Sequence, residues 1–140
     1  MTNKHYLSLE LDKVLELLAA HTTCEDAAAA ARALEPAVYL AEVDRLQAET
    51  DAAFQLMARF GAPSFGDAKN IAGAVRRAQA GAMLSLAELL RVAGTLRAIR
   101  SLAEWRRHCE GVTTCLDERF EVLSPNRHLE ESITTAIVSE

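Results

Sequence analysis

The segment Leu84-Ser85-Leu86-Ala87-Glu88-Leu89 constrains the fold of this chain more than any other. Serine followed three residues later by glutamate is a capping box, in which each side chain satisfies an amide left open at a helix start, and Leu84 and Leu89 stand where a hydrophobic staple would close it. Beyond it Leu89, Val92, Ala93, Leu96, Ile99 and Ala103 recur at helical spacing. This predicts a helix from Ser85 towards His108 that buries one stripe, with Gly94 close enough to that stripe to admit a neighbouring backbone.

The rest of the chain reads in the same way. Leu7, Leu11, Val14, Leu15 and Leu18 place one apolar stripe on a helix starting near Ser8. Thr23 is positioned to cap a second, short, alanine-rich helix whose start Asp26 favours electrostatically and which Pro36 keeps from extending through Glu35. Val43, Leu46, Thr50, Ala53, Met57 and Phe60 alternate steps of three and four and predict a seam along a third helix of roughly five turns, ended by Gly61 and Pro63. Asn70 is positioned to cap a fourth helix stopped by Gly81, Thr113 to Leu123 reads as a further helix, and Ser124-Pro125 reads as the start of a last one carrying Leu129, Ile133 and Ile137. That last helix lacks a stop signal, as if cut from something longer. With half its residues hydrophobic, alanine and leucine foremost, and only three prolines and six glycines, the chain is expected to be all-α: an irregular bundle of six or seven helices forming one domain fragment over 1-140.

Charge is unevenly distributed. The net charge is -5, yet the basic segment 69-108 carries Lys69 and seven arginines against Glu88 and Glu104, and is therefore net positive. An acidic protein repels nucleic acid unless its basic residues are segregated, as they are here. Arg76, Arg77, Arg91, Arg97, Arg106 and Arg107 are the candidate phosphate contacts, although arginines also neutralise local acids, as Arg100 and Glu104 do at a four-residue spacing. Trp105 reads as a core or interface anchor and not as a base-stacking platform.

Catalytic and metal motifs are wanting. Gly61 to Ala68 has the glycine spacing of a phosphate loop, but Asp67-Ala68 stand where lysine and a hydroxyl residue would hold phosphate and magnesium, so it reads as a turn. His108, Cys109, Cys115 and Cys24 lack zinc-ligand spacing, and an odd number of cysteines without framework spacing suits reduced thiols in a cytoplasmic protein. The acidic pairs Glu25/Asp26, Asp117/Glu118 and Glu130/Glu131 read as helix first turns rather than catalytic carboxylates. Neither a secretory leader nor a membrane-spanning run is present, so no membrane partner is expected. The chain reads as no enzyme, with no metal or cofactor of its own.

Several stretches, in this order and spacing, resemble the N-terminal segment of the MutS-two family: Leu9-Glu10-Leu11-Asp12-Lys13-Val14, Leu34-Glu35-Pro36, Glu49-Thr50-Asp51-Ala52, Pro63-Ser64-Phe65-Gly66, and Arg77 to Ser85 leading into Glu88-Leu89-Leu90. Ala27 stands where the family usually has glycine, and Asn70 where it often has aspartate; both fall at helix starts. The resemblance implies part of a larger MutS-type core and lever region, truncated before an ATPase domain that binds ATP and magnesium and a C-terminal Smr nuclease domain. It implies a homodimeric parent that binds branched DNA and restrains recombination, or that acts on stalled ribosomes. It implies no functional residue within this chain. Three readings follow: a non-catalytic core segment whose partners are the missing domains of its own parent, a module contacting nucleic acid directly through the basic segment, and an unrelated partner-binding bundle using the seam of the third helix.

Overall fold

The computed structural model describes residues 9-138. They contain seven helices and no strand, in keeping with the composition: α1 (Leu11–Ala20), α2 (Glu25–Arg32), α3 (Leu40–Phe60), α4 (Ala72–Gln79), α5 (Leu86–His108), α6 (Asp117–Glu121) and α7 (Arg127–Val138). The chain divides between Pro36 and Ala37 into two compact units.

In the first unit α1 packs on α2. The expected stripe narrows: Ala19 and Ala31 are buried and Leu11 and Leu15 half-buried, while Val14 and Leu18 remain exposed. Leu7 and Ser8 lie outside the described residues. Small side chains let two short helices approach closely but cover only a thin strip. Arg32 then fastens the pair, giving Nε and Nη2 to the Glu16 carboxylate at 2.8 and 3.1 Å. The cap of α2 is Cys24 and not Thr23, because Cys24 already has the extended backbone of a cap residue, and no side chain bonds there.

In the second unit the seam expected on α3 is not the face the fold buries. Ala52 and Leu56 are buried and Ala53 and Phe60 half-buried, whereas Leu46, Thr50 and Met57 are exposed. The buried face lies about 100° around the helix from the expected seam. Gly61 closes α3, its amide bonding the Met57 carbonyl at 2.9 Å. At α4, Asn70 accepts the Ala72 amide at 3.0 Å, but the cap position itself falls one residue later, at Ile71. Gly81, at φ +82°, ends α4 in a Schellman motif, with Gly81 N bonding Ala78 O and Ala82 N bonding Arg77 O.

The capping box forms as expected at α5: Ser85 Oγ accepts the Glu88 amide at 3.3 Å and Glu88 Oε2 accepts the Ser85 amide at 2.9 Å. Val92, Ala93 and Ala98 are its buried residues, with Leu89, Leu96, Ile99 and Ala103 half-buried. The helix expected over Thr113 to Leu123 shortens to α6, because Thr114 and Asp117 bond each other in a turn that sets its start at Asp117. The last helix begins later than Ser124-Pro125 predicted, because Asn126 supplies the cap: its Oδ1 accepts the Leu129 amide at 3.0 Å. α7 lies against α5, with Ile133 joining Val92 and Ala93 in a core that Ile71, Leu89, Leu96 and Ile137 surround. No helix among the described residues is long and apolar enough to cross a membrane.

Candidate nucleic-acid interface

The loop between α3 and α4 meets α5 at Gly94. A Cβ built on Gly94 would stand 3.5 Å from Asp67 Cβ and 3.7 Å from Asp67 O, so this glycine admits a neighbouring backbone, as its place beside the stripe predicted. The next residue, Thr95, fastens the loop: its hydroxyl accepts the Lys69 amide at 3.2 Å and lies 3.3 Å from the Lys69 carbonyl. Phe65 to Ala68 form a turn closed by the Ala68 amide on the Phe65 carbonyl at 3.2 Å. Because the loop follows a helix, it keeps the turn reading given to its glycine spacing.

Pinning the loop this way leaves a shallow groove of about 350 Å³ lined by Lys69, Arg91 and Arg97, with Asp67, Gly94 and Thr134 beside them. Three cations against one carboxylate make it the most phosphate-like setting the six candidate arginines reach. Arg91 is exposed and makes no ion pair among the described residues. Arg97 is half exposed and gives Nε to Glu130 at 3.2 Å. Lys69, which the sequence marks only as the start of the basic segment, joins these two arginines at the groove.

The other four candidates are elsewhere. Arg77 bonds the Glu88 carboxylate of the capping box, tying α4 to the start of α5, and Arg76 stays exposed on α4. Arg106 is only 17% exposed and spends its donors on Asp117, the Cys109 carbonyl and the Val112 carbonyl, so it holds the loop after α5. Arg107 is exposed at the end of α5, away from the groove.

Glu130 lies in the first turn of α7, as its acidic pair predicts, but it is also 5% exposed and bridges two arginines of α5. Arg100 meets it side-on, Nε to Oε2 at 3.0 Å and Nη2 to Oε1 at 3.0 Å, and Arg97 adds a third bond. Arg100's hydrogen bonds hold the Glu130 carboxyl below the usual carboxylate range despite burial. The expected Arg100–Glu104 pair is present but longer, at 3.5 Å. Asp117 is lowered likewise by Arg106.

Cys109 is buried, its thiol donates to the Trp105 carbonyl at 3.3 Å, and burial pushes its pKa up, which suits an inert core thiol. All three cysteines Cys24, Cys109 and Cys115 are free. Trp105 tilts against Phe120 with ring centroids 6.0 Å apart, as an anchor would.

The Gly94 contact gives a direct test of what shapes the groove. Ordinary van der Waals distance to Asp67 leaves room for a methyl, and alanine favours helix over glycine by about 1 kcal/mol, so Gly94→Ala is expected to raise the urea midpoint slightly. Gly94→Leu is expected to push the loop off α5 at a cost of about 1–3 kcal/mol. Equal stability of the two variants would show that the loop does not rest on this position.

No family model matches the chain. Over its whole length, however, it is 32% identical to the endonuclease MutS2 of Acetivibrio thermocellus and 31% identical to those of Clostridium beijerinckii and Ruminiclostridium cellulolyticum. What the chain is similar to is one part of a MutS2 protein. The chain spans 18% of the length of each of these relatives. The relatives are named as endonucleases; in this chain three arginine–carboxylate pairs join α4 to α5, α5 to α6 and α5 to α7.

Proposed function

We propose that this chain is a non-catalytic helical core segment, N-terminal in a longer MutS2 protein, and that its work is mechanical. It would carry the state of an ATPase domain to the part of the protein that clamps branched DNA or a stalled ribosome. The observation that carries this reading is the match along the whole chain to less than a fifth of each relative. ATP and magnesium, nuclease chemistry, homodimerisation and a cytoplasmic location would then belong to the parent. The use of Glu130 and Asp117 as structural clamps supports it, since a carboxylate held by arginines is a poor general acid or base. The purified chain is expected to leave four-way-junction DNA uncut in the presence of magnesium; cleavage that persists through further purification would overturn the reading.

The groove of Lys69, Arg91 and Arg97 favours a second reading, direct contact with nucleic-acid phosphates. Fluorescence anisotropy with labelled duplex, four-way-junction DNA and structured RNA across a salt series separates the two. A contact surface is expected to lose about tenfold or more in affinity when Arg91 and Arg97 are both changed to glutamate, and to show a log–log salt slope of about two to three. Binding absent at low salt, or unchanged by the double substitution, leaves the arginines as part of the scaffold only.

A further inference from the structure

α3 carries two apolar faces, and the fold covers one of them. Ala52 and Leu56 face inward, while Leu46, Phe54 and Met57 are 40%, 70% and 46% exposed and Val43 is half-buried. These four recur along one side of the helix at the steps that interlock with a second helix. A single exposed leucine is ordinary, but an aromatic, a methionine and a leucine share one side of α3 over nearly four turns, with Thr50 between them.

What flanks the patch narrows its occupant. By helical geometry Asp44 and Asp51 border it on one side and Glu42 on the other, where the neighbouring Glu49 is taken up by Arg45 and by Arg119, the latter at 2.8 Å. The two arginines of α3 project from the opposite side and are engaged: Arg45 bonds Glu49 at 2.6 Å and Arg59 lies over the Phe60 ring at 5.1 Å. Asp51 accepts only from the neutral Gln55, at 2.6 Å, and Asp44 makes no ion pair among the described residues. Two copies of this face would oppose acid to acid, which disfavours self-association through it.

We propose that the outer face of α3, from Val43 to Met57, docks an amphipathic α-helix with lysine or arginine on its flanks, supplied by the same polypeptide outside these 140 residues. The proposal rests on the reading of the chain as a segment, and on relatives more than five times its length, which leave ample chain to provide such a helix. Apolar residues of the incoming helix would fill the spaces around Phe54 and Met57, and its basic flanks would meet Asp44 and Asp51.

Hydroxyl-radical footprinting tests this, comparing Phe54 and Met57 in the 140-residue chain and in the intact longer polypeptide at matched radical dose. Docking is expected to slow their oxidation about tenfold in the intact polypeptide, since side chains in a helix–helix contact lose their water. Changing Asp44 and Asp51 to lysine there is expected to bring the rates back towards those of the chain alone; both positions are exposed, so the substitutions should not unfold α3. Equal oxidation in the two proteins overturns the proposal and leaves the segment reading untouched, because that reading fails on nuclease activity of the chain. Protection already present in the 140-residue chain, or rising with its concentration, assigns the face to another occupant and overturns it as well. Protection that survives the charge reversal overturns the basic-flanked partner.

Discussion

Glu130→Ala is expected to cost about 2–3 kcal/mol, because it removes the partner of Arg97 and leaves Arg100, 27% exposed, with only its longer contact to Glu104. Arg100 is the more enclosed of the two arginines, so most of the loss should arise there. The penalty falls on the packing of α7 against α5, and thermal unfolding followed by far-ultraviolet circular dichroism should move down by roughly 8–15 °C for a domain of this size. Glu130→Gln keeps the shape and one acceptor and is expected to cost less. The same residue sets part of the acid limit. Its folded pKa lies below that of the unfolded chain, so its contribution is complete above about pH 5 and disappears as pH falls through the lowered value. Wild-type stability should therefore drop more steeply below about pH 4.5 than that of Glu130→Gln. Parallel acid limbs would mean that Glu130 is not held by the arginines in solution.

Leu56→Ala should be about as damaging as the first substitution, roughly 3 kcal/mol, since it removes the most deeply buried large side chain of α3, 1% exposed, and leaves a cavity. Met57→Ala, one residue along and 46% exposed, is expected to cost less than about 1 kcal/mol in the 140-residue chain. Urea denaturation of the two variants decides which face of α3 the fold buries. If Met57→Ala proved the costlier, the three-and-four seam would be the buried face after all.

That contrast locates where reading the sequence stops working. The spacing of Val43, Leu46, Met57 and Phe60 is a real apolar pattern, but α3 carries a second one one-quarter turn away, through Ala52 and Leu56. Nothing local ranks two apolar faces of one helix. Only the elements packed around it do, and in this chain they select the face with the smaller residues. The groove shows the same division: Gly94 beside an apolar stripe announced a close backbone approach, yet not that Asp67 and Lys69 would be the residues brought there. Of six candidate arginines, the fold gathers Arg91 and Arg97, spends Arg106 on a loop and Arg77 on a capping box, and leaves Arg76 and Arg107 apart.

The sequence by itself determined that this chain is helical, where α5 begins, and where α3 and α4 end. Ser85, Glu88, Gly61 and Gly81 act on amides and carbonyls within five residues of themselves, so the chemistry is complete in the local sequence. The tertiary structure alone decided which carboxylate Arg97 and Arg100 hold. Glu104 lies one helical turn from Arg100 and Glu130 lies thirty residues away, but packing of α7 on α5 excludes water from Glu130 and makes it the stronger partner.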